Sequence, residues 1–328
     1  MTDTNPSQKT DSISKSGSFL QLHVVGELEK KRWSTHLEFP VQAAPFIADP
    51  IKHPIHKISK ITGKKIFFPE NIVKAIFECQ NKSELSETSI DVISESSSSD
   101  KKLNFLLAIE CKKLDPNYSE WVFFQEKEKA RMHLIVKDLT SKGFISLFKI
   151  PGTTQLSNEL HVDLAEFDWD PFKQKLANSS IAISNEKIDK NTYITKKSLV
   201  DNAARQIIEG SYGYVINDIQ HDILDSESYL NRIYVPIIVT TAKLKICKIN
   251  SVDIDPVTGF ATKEPDYEDI DSIIYECAPP KSVRFPHPEF TKLRIDHRKA
   301  LLKWHVLIFS PKGFITFLND LNNTELVS

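Results

Sequence analysis

Ser89-Ile90-Asp91-Val92 and, after a polar serine-rich stretch, Phe105-Leu106-Leu107-Ala108-Ile109-Glu110-Cys111-Lys112 decide how this chain is read. Together they predict a β-hairpin with Asp91 on its first strand and Glu110 and Lys112 on its second. Strand side chains alternate between faces, so Glu110 and Lys112 share one face while Cys111 and Lys113 point the other way. Two carboxylates and an ammonium on a rigid sheet can gather a divalent metal and activate a water beside it, an arrangement suited to phosphodiester hydrolysis. The connection expected at residues 95–102 holds four consecutive serines and is too long for a two-residue turn.

Working outward, residues 19–32 carry Leu20, Val24 and Leu28 on one helical stripe. Glu27 falls on that same apolar side, where a carboxylate is costly unless something pairs with it. Residues 33–41 read as a strand, and 42–87 as an insertion holding four prolines. A second insertion covers about 114–196. Ser198 followed by Asp201 resembles a capping box opening a helix over 198–209, with Leu199, Ala203 and Ile207 on its apolar face and Gln206 flanking it. Residues 232–247 are a long β-branched run that predicts a central strand or strand pair. A further strand is expected at 305–309, then a turn at Pro311-Lys312-Gly313 and a short terminal helix.

The core order is helix, strand, strand, strand, helix, strand. With Asp91 at hairpin distance from Ala108-Ile-Glu110-Cys-Lys112, it resembles the D…(D/E)xK pattern of the PD-(D/E)xK nuclease superfamily. Ile90 stands where the name-giving proline would be. The resemblance implies an α/β fold: a restriction-endonuclease-like core with a central mixed β-sheet flanked by helices, in one domain over 19–328 with insertions. It implies a metal-dependent endodeoxyribonuclease that acts on DNA with Mg²⁺, Mn²⁺ being a substitute, and leaves a 5′-phosphate. Asp91 and Glu110 become metal ligands, and Glu27 the helix carboxylate that completes their set. Lys112 holds or polarises the attacking water. Gln206 matches the polar residue, often glutamine, on the helix after the motif. Restriction or antiphage defence is the superfamily's usual setting, with a partner protein such as an ATPase and oligomers among the expected associations. The alternative is a catalytically silent member of the fold that binds nucleic acid or acts as a scaffold.

Composition agrees with such a chain without demanding it. The 328 residues carry a net charge of −2 and are 40% hydrophobic, so nucleic-acid contact requires a local basic surface. Lys292, Arg294, His297, Arg298, Lys299 and Lys303 supply one candidate, and Trp121, Phe123 and Phe124 could stack on a base, although core packing suits at least two of them better. The acidic run 266–271 would face away from DNA. Four cysteines without CxxC spacing argue against a zinc site or a disulfide framework. His53-Pro-Ile-His56 stands without further ligands, and only nine glycines occur, with no phosphate loop among them. Residues 1–18 read as a disordered polar tail, no apolar run is long enough to span a membrane, and the cytoplasm is the expected compartment.

Overall fold

A computed structural model describes residues 17–41, 55–59, 65–68, 88–96, 104–115, 117, 119–124, 132–139, 145–146, 165–167, 177–187, 193–196, 198–224, 228–229, 232–249, 251–277 and 304–323. Most of the two expected insertions, His53 and the basic stretch at 292–303 lie outside these residues. The fold is α/β, with two large mixed sheets, a small three-stranded sheet formed by residues 55–59, 65–68 and 228–229, and few helices.

The chain enters through helix α1 (Ser18–Lys30) and strand β1 (Trp33–Val41), then forms the hairpin β2 (Thr88–Ser96) and β3 (Asn104–Lys112). Strands β4 (Ser119–Phe124), β5 (Met132–Leu139), β6 (Ala177–Ser179), β7 (Ala182–Lys187) and β8 (Tyr193–Lys196) follow. Helix α2 (Ser198–Leu224) leads to β9 (Arg232–Thr240), β10 (Lys243–Lys248), β11 (Asp266–Ile270), β12 (Ser272–Cys277), β13 (Trp304–Phe309) and helix α3 (Pro311–Asn323). The larger sheet has the order β1-β2-β3-β9-β13-β12-β6, and the smaller the order β8-β7-β4-β10-β11.

The expected run at 232–247 is two strands in two sheets. β9 lies parallel to β3 in the larger sheet, and β10 lies parallel to β4 in the smaller. One parallel pair thus leaves the first sheet and re-forms in the second. The break is held by Thr241, whose N–H donates to Lys112 O at 3.2 Å and whose Oγ1 accepts from Leu114 N at 2.8 Å. Glu110 and Lys112 therefore stand at the carboxyl ends of parallel strands, where open α/β sheets place their ligand crevices.

β9 is buried on both faces from Ile233 to Thr240, which its β-branched run reflects. Pro236 sits inside it at a specific gap. On one edge β5 pairs with Arg232, Ile233 and Tyr234, and β13 with Ile237, Ile238 and Val239. A residue without an N–H is tolerated where the ladder changes partner.

The odd-numbered residues of β3 (Phe105, Leu107, Ile109, Cys111) and of β9 (Ile233, Val235, Ile237, Val239) share one core with Leu20, Val24 and Leu28 of α1 and with Phe314, Phe317, Leu318 and Leu321 of α3. Each such side chain contributes about 1.5–3 kcal/mol when fully buried. Helix α2 covers the opposite face and runs to Leu224, well past the expected end at 209. Asp201, near its start, accepts a hydrogen bond from Tyr275 Oη instead of serving only a local cap.

The expected turn at Pro311-Lys312-Gly313 is the first turn of α3. Ser310 Oγ accepts from Gly313 N at 3.0 Å, so Ser310 is the N-cap and Pro311 takes the first helical position, where its missing N–H costs nothing. Gly313 is needed for room: a Cβ there would lie 2.0 Å from Asp271 O. Gly313→Ala should destabilise the protein by about 1–3 kcal/mol in urea unfolding through overpacking. Helix propensity alone would favour alanine by about 1 kcal/mol, so a rise in stability would refute this account of the contact. Among the described residues, no helix is long and apolar enough to cross a membrane.

Candidate active site

The hairpin is distorted at Asp91. The antiparallel register of β1 and β2 omits the Glu38–Asp91 pair, and Glu38 adopts a φ of +47°, a left-handed conformation that costs a non-glycine residue about 1–2 kcal/mol. On the other side the ladder to β3 ends at Val92↔Ile109. One further step in that register sets Asp91 opposite Glu110. Instead of continuing the ladder, Asp91 Oδ2 accepts the Cys111 N–H at 2.7 Å. Backbone outliers of this kind cluster at functional sites.

Glu110 is buried, at 2% exposure. Its Oε1 accepts from Lys112 Nζ, while its Oε2 is buried with no hydrogen-bond partner among the described residues. Burial, with the negative charge of Asp91 adding to it, pushes the Glu110 carboxyl up to about 6 against the opposing pull of Lys112. Lys112 Nζ also donates to Gln206 Oε1 at 3.1 Å. Its side chain remains 30% exposed, so the ammonium is held from within and open from outside.

Gln206 reaches Lys112 because α2 comes unusually close to β2. Gly210, one turn after Gln206 on the same helix face, leaves room for Ile90: a Cβ at 210 would lie 2.7 Å from Ile90 Cγ1. Sequence reasoning missed Gly210 and Glu38. The first leaves a signal, since a glycine inside a helix costs about 1 kcal/mol relative to alanine and calls for a packing reason. The second leaves none.

Four expected residues, Asp91, Glu110, Lys112 and Gln206, meet at this end of the hairpin. Glu27 does not join them. It flanks the buried stripe of α1, and Lys30 Nζ lies 2.6 Å from its Oε1. That hydrogen bond holds the Glu27 carboxyl below its ordinary range. Among the described residues, no three His, Cys, Asp or Glu side chains come together as a metal ligand set. Cys111 points into the α1 core as alternation required, and burial keeps its thiol neutral. Trp121 and Phe123 are buried too, so they pack the smaller sheet and are not available to stack on a base. In β4 only Phe124, at the end of the strand, is partly exposed among the three aromatics.

Asp91 and Glu110 still fit a hard divalent cation. They are oxygen donors, and the orphaned Glu110 Oε2 is a buried acceptor that lacks only a positive partner. A test of this electrostatic state needs no metal. Between pH 4.5 and about 6, folded Glu110 holds a proton that the unfolded chain releases. Its burial therefore costs nothing below pH 4.5 and reaches full strength above about pH 6. At about 1.4 kcal/mol per pH unit the full penalty is about 2 kcal/mol. Urea unfolding of metal-free Glu110→Gln should thus gain about 2 kcal/mol on the wild type between pH 4 and pH 7.5. A pH-independent difference would remove the buried-carboxylate description.

Comparison with protein-family models, with curated proteins and with solved structures gives no match for this chain. The site's own geometry therefore carries the functional reading.

Proposed function

We propose that this protein is a metal-dependent nuclease of the PD-(D/E)xK type, with a restriction-endonuclease-like core, that hydrolyses DNA phosphodiesters with Mg²⁺ or Mn²⁺. The observation that carries the reading is Glu110: a buried carboxylate that feels the charge of Asp91, with one oxygen on Lys112 and the other unpartnered among the described residues. The element order supports it as well, since α1, the antiparallel β1-β2-β3 and α2 lead to a β9 that lies parallel to β3.

In this reading Asp91 and Glu110 hold the cation. When bound, it lowers the pKa of a water and neutralises phosphate oxygens. Lys112 places a fixed positive charge where the transition state gains negative charge. Gln206 Oε1, a neutral acceptor, orients that ammonium without cancelling its charge. Glu110 has two tasks, one oxygen for Lys112 and one for the cation, which explains why its carboxylate is buried and not solvated.

Supercoiled plasmid incubated with the purified protein should be nicked or linearised with Mg²⁺ or Mn²⁺ and left intact with a chelator. One observation favours a second reading. Asp91, Glu110 and Glu27 each have an oxygen engaged within the protein, as a silent nuclease fold serving as a nucleic-acid-binding or scaffolding subunit would also allow. Plasmid that is shifted on a gel but never cut, with either metal, would assign that role and end the catalytic proposal.

A further inference from the structure

The loop between β10 and β11 presents apolar side chains to water from a rigid frame. Val252 is 84% exposed, Val257 91% and Phe260 75%, and Tyr267 at the start of β11 is 50% exposed. The loop is tightly built. Ile254 bridges Ala261 at its base. Asp255 Oδ1 accepts from Val257 N at 2.7 Å and from Thr258 N at 3.1 Å, and Asp255 N donates to Phe260 O at 2.8 Å. Gly259 supplies the one left-handed step, φ +71°. Thr262 N closes onto Asp253 O at 2.8 Å. The apolar tips are thus pre-positioned in water, and large apolar side chains held exposed on a rigid frame mark a recognition site.

β11 beside it is an edge strand. Among the described residues its strand partner is β10 alone, and the side chains of Asp266 to Asp269 are exposed, so among these residues its other edge is unpaired. The charge around both features is acidic in balance: β10 carries Lys243, Lys245 and Lys248, of which Lys248 pairs with Glu268, while residues 251–271 hold seven acidic residues and one lysine. That lysine, Lys263, is paired with Asp253 at 2.8 Å. The acidic surface repels a nucleic-acid backbone and an anionic lipid surface, and it repels a second copy of itself across a symmetric edge pairing. Acidic side chains keep an edge strand from self-association, but they do not account for apolar side chains held out in water.

We infer that this loop and edge form a docking surface for a partner protein, which contributes an extended segment of alternating lysine or arginine and apolar residues. The segment adds as a strand to β11, its cations meet Asp266 and, in exchange with Lys248, Glu268 on one face, and its apolar residues reach Tyr267 on the other face and Val257 and Phe260 on the loop. Strand addition takes affinity from the main chain and specificity from alternate side chains.

A fluorescein-labelled octapeptide of alternating lysine and valine is a direct probe, with a glutamate–valine twin as its control, titrated into the full chain by anisotropy. Saturable binding of the cationic probe alone is expected, weakening as NaCl is raised. The double variants Val257→Asp/Phe260→Asp and Asp266→Lys/Glu268→Lys should each reduce affinity at least about tenfold, with circular dichroism unchanged because these positions are exposed. Absence of binding, equal binding of the acidic twin, or affinity unaltered in both variants would overturn the proposal. So would concentration-dependent dimerisation abolished by the same variants, or binding to phosphatidylserine vesicles, each of which assigns the surface to another occupant. None of these outcomes bears on the nuclease reading.

Discussion

Lys112→Ala is expected to lower Mg²⁺-dependent plasmid cleavage by about two to three orders of magnitude, the range found when one preorganised donor to a developing charge is removed. The change has two consequences at this site. It removes the fixed positive charge, and it leaves Glu110 with both oxygens unpaired and its carboxyl pushed further up by burial and Asp91. Protonated Glu110 cannot bind a cation, so the loss should be greatest at low pH and partly relieved at higher pH, where the carboxylate re-forms. Asp91→Asn separates the metal from the fold. Its amide oxygen can still accept the Cys111 N–H while the ligand charge is gone, so cleavage should be abolished with little change in urea unfolding. Gln206→Ala acts only through Lys112 and should cost less than either. Lys113→Ala, beyond the end of β3, should cut plasmid at nearly the wild-type rate. Equal cleavage by wild type and Lys112→Ala would remove the proposed site.

Strand alternation made most of the larger sheet legible. Period two placed Glu110 with Lys112 and turned Cys111 inward, and the β-branched run at 232–247 predicted a central strand or strand pair. Leu20, Val24 and Leu28 traced the core face of α1. Three features were not legible, each for a physical reason. The run 232–247 carries a strand pattern on both sides of Thr241, so periodicity could not reveal that the chain changes sheets at Thr241 and Ala242. Ser310-Pro-Lys-Gly313 carries turn residues, but serine, proline and glycine also fit a helix N-cap, first position and third position, and only Asp271 decides between them. Glu27 lay within an ion pair's reach of Lys30, a local contact that a helical wheel admits but does not select. The meeting of four of the five expected residues follows from directions that strand and helix periods fix. What their meeting required, the close approach at Gly210 and the break at Glu38, depends on tertiary fit.

At the far end of α2 from Gln206, Arg232 should prove the most sensitive residue for stability. It opens β9 and lies between three elements. Its Nη2 is 3.0 Å from Glu95 Oε2 on β2, and its Nη1 donates to Asp218 on α2. Tyr214 Oη donates to Glu95 Oε1 at 3.0 Å, and Tyr234 Oη to Asp218. The side chain of Arg232 is 12% exposed and that of Asp218 7%, so neither charge can turn to bulk water. Arg232→Met keeps the volume but strands two carboxylates, and should destabilise by about 3–5 kcal/mol in urea unfolding. The triple variant Arg232→Met/Asp218→Asn/Glu95→Gln should recover most of that loss, because the penalty arises from uncompensated charge and not from lost packing. A triple variant as unstable as the single one would overturn the assignment. The same comparison tests how the site is carried. Asp218 lies twelve residues after Gln206, about 18 Å along the helix, so one rigid helix links the clamp to the Lys112 contact. Folded triple variant should therefore keep the Gln206–Lys112 contact and cut plasmid as the wild type does, whereas Gly210→Leu, which forces α2 off Ile90, should lose cleavage.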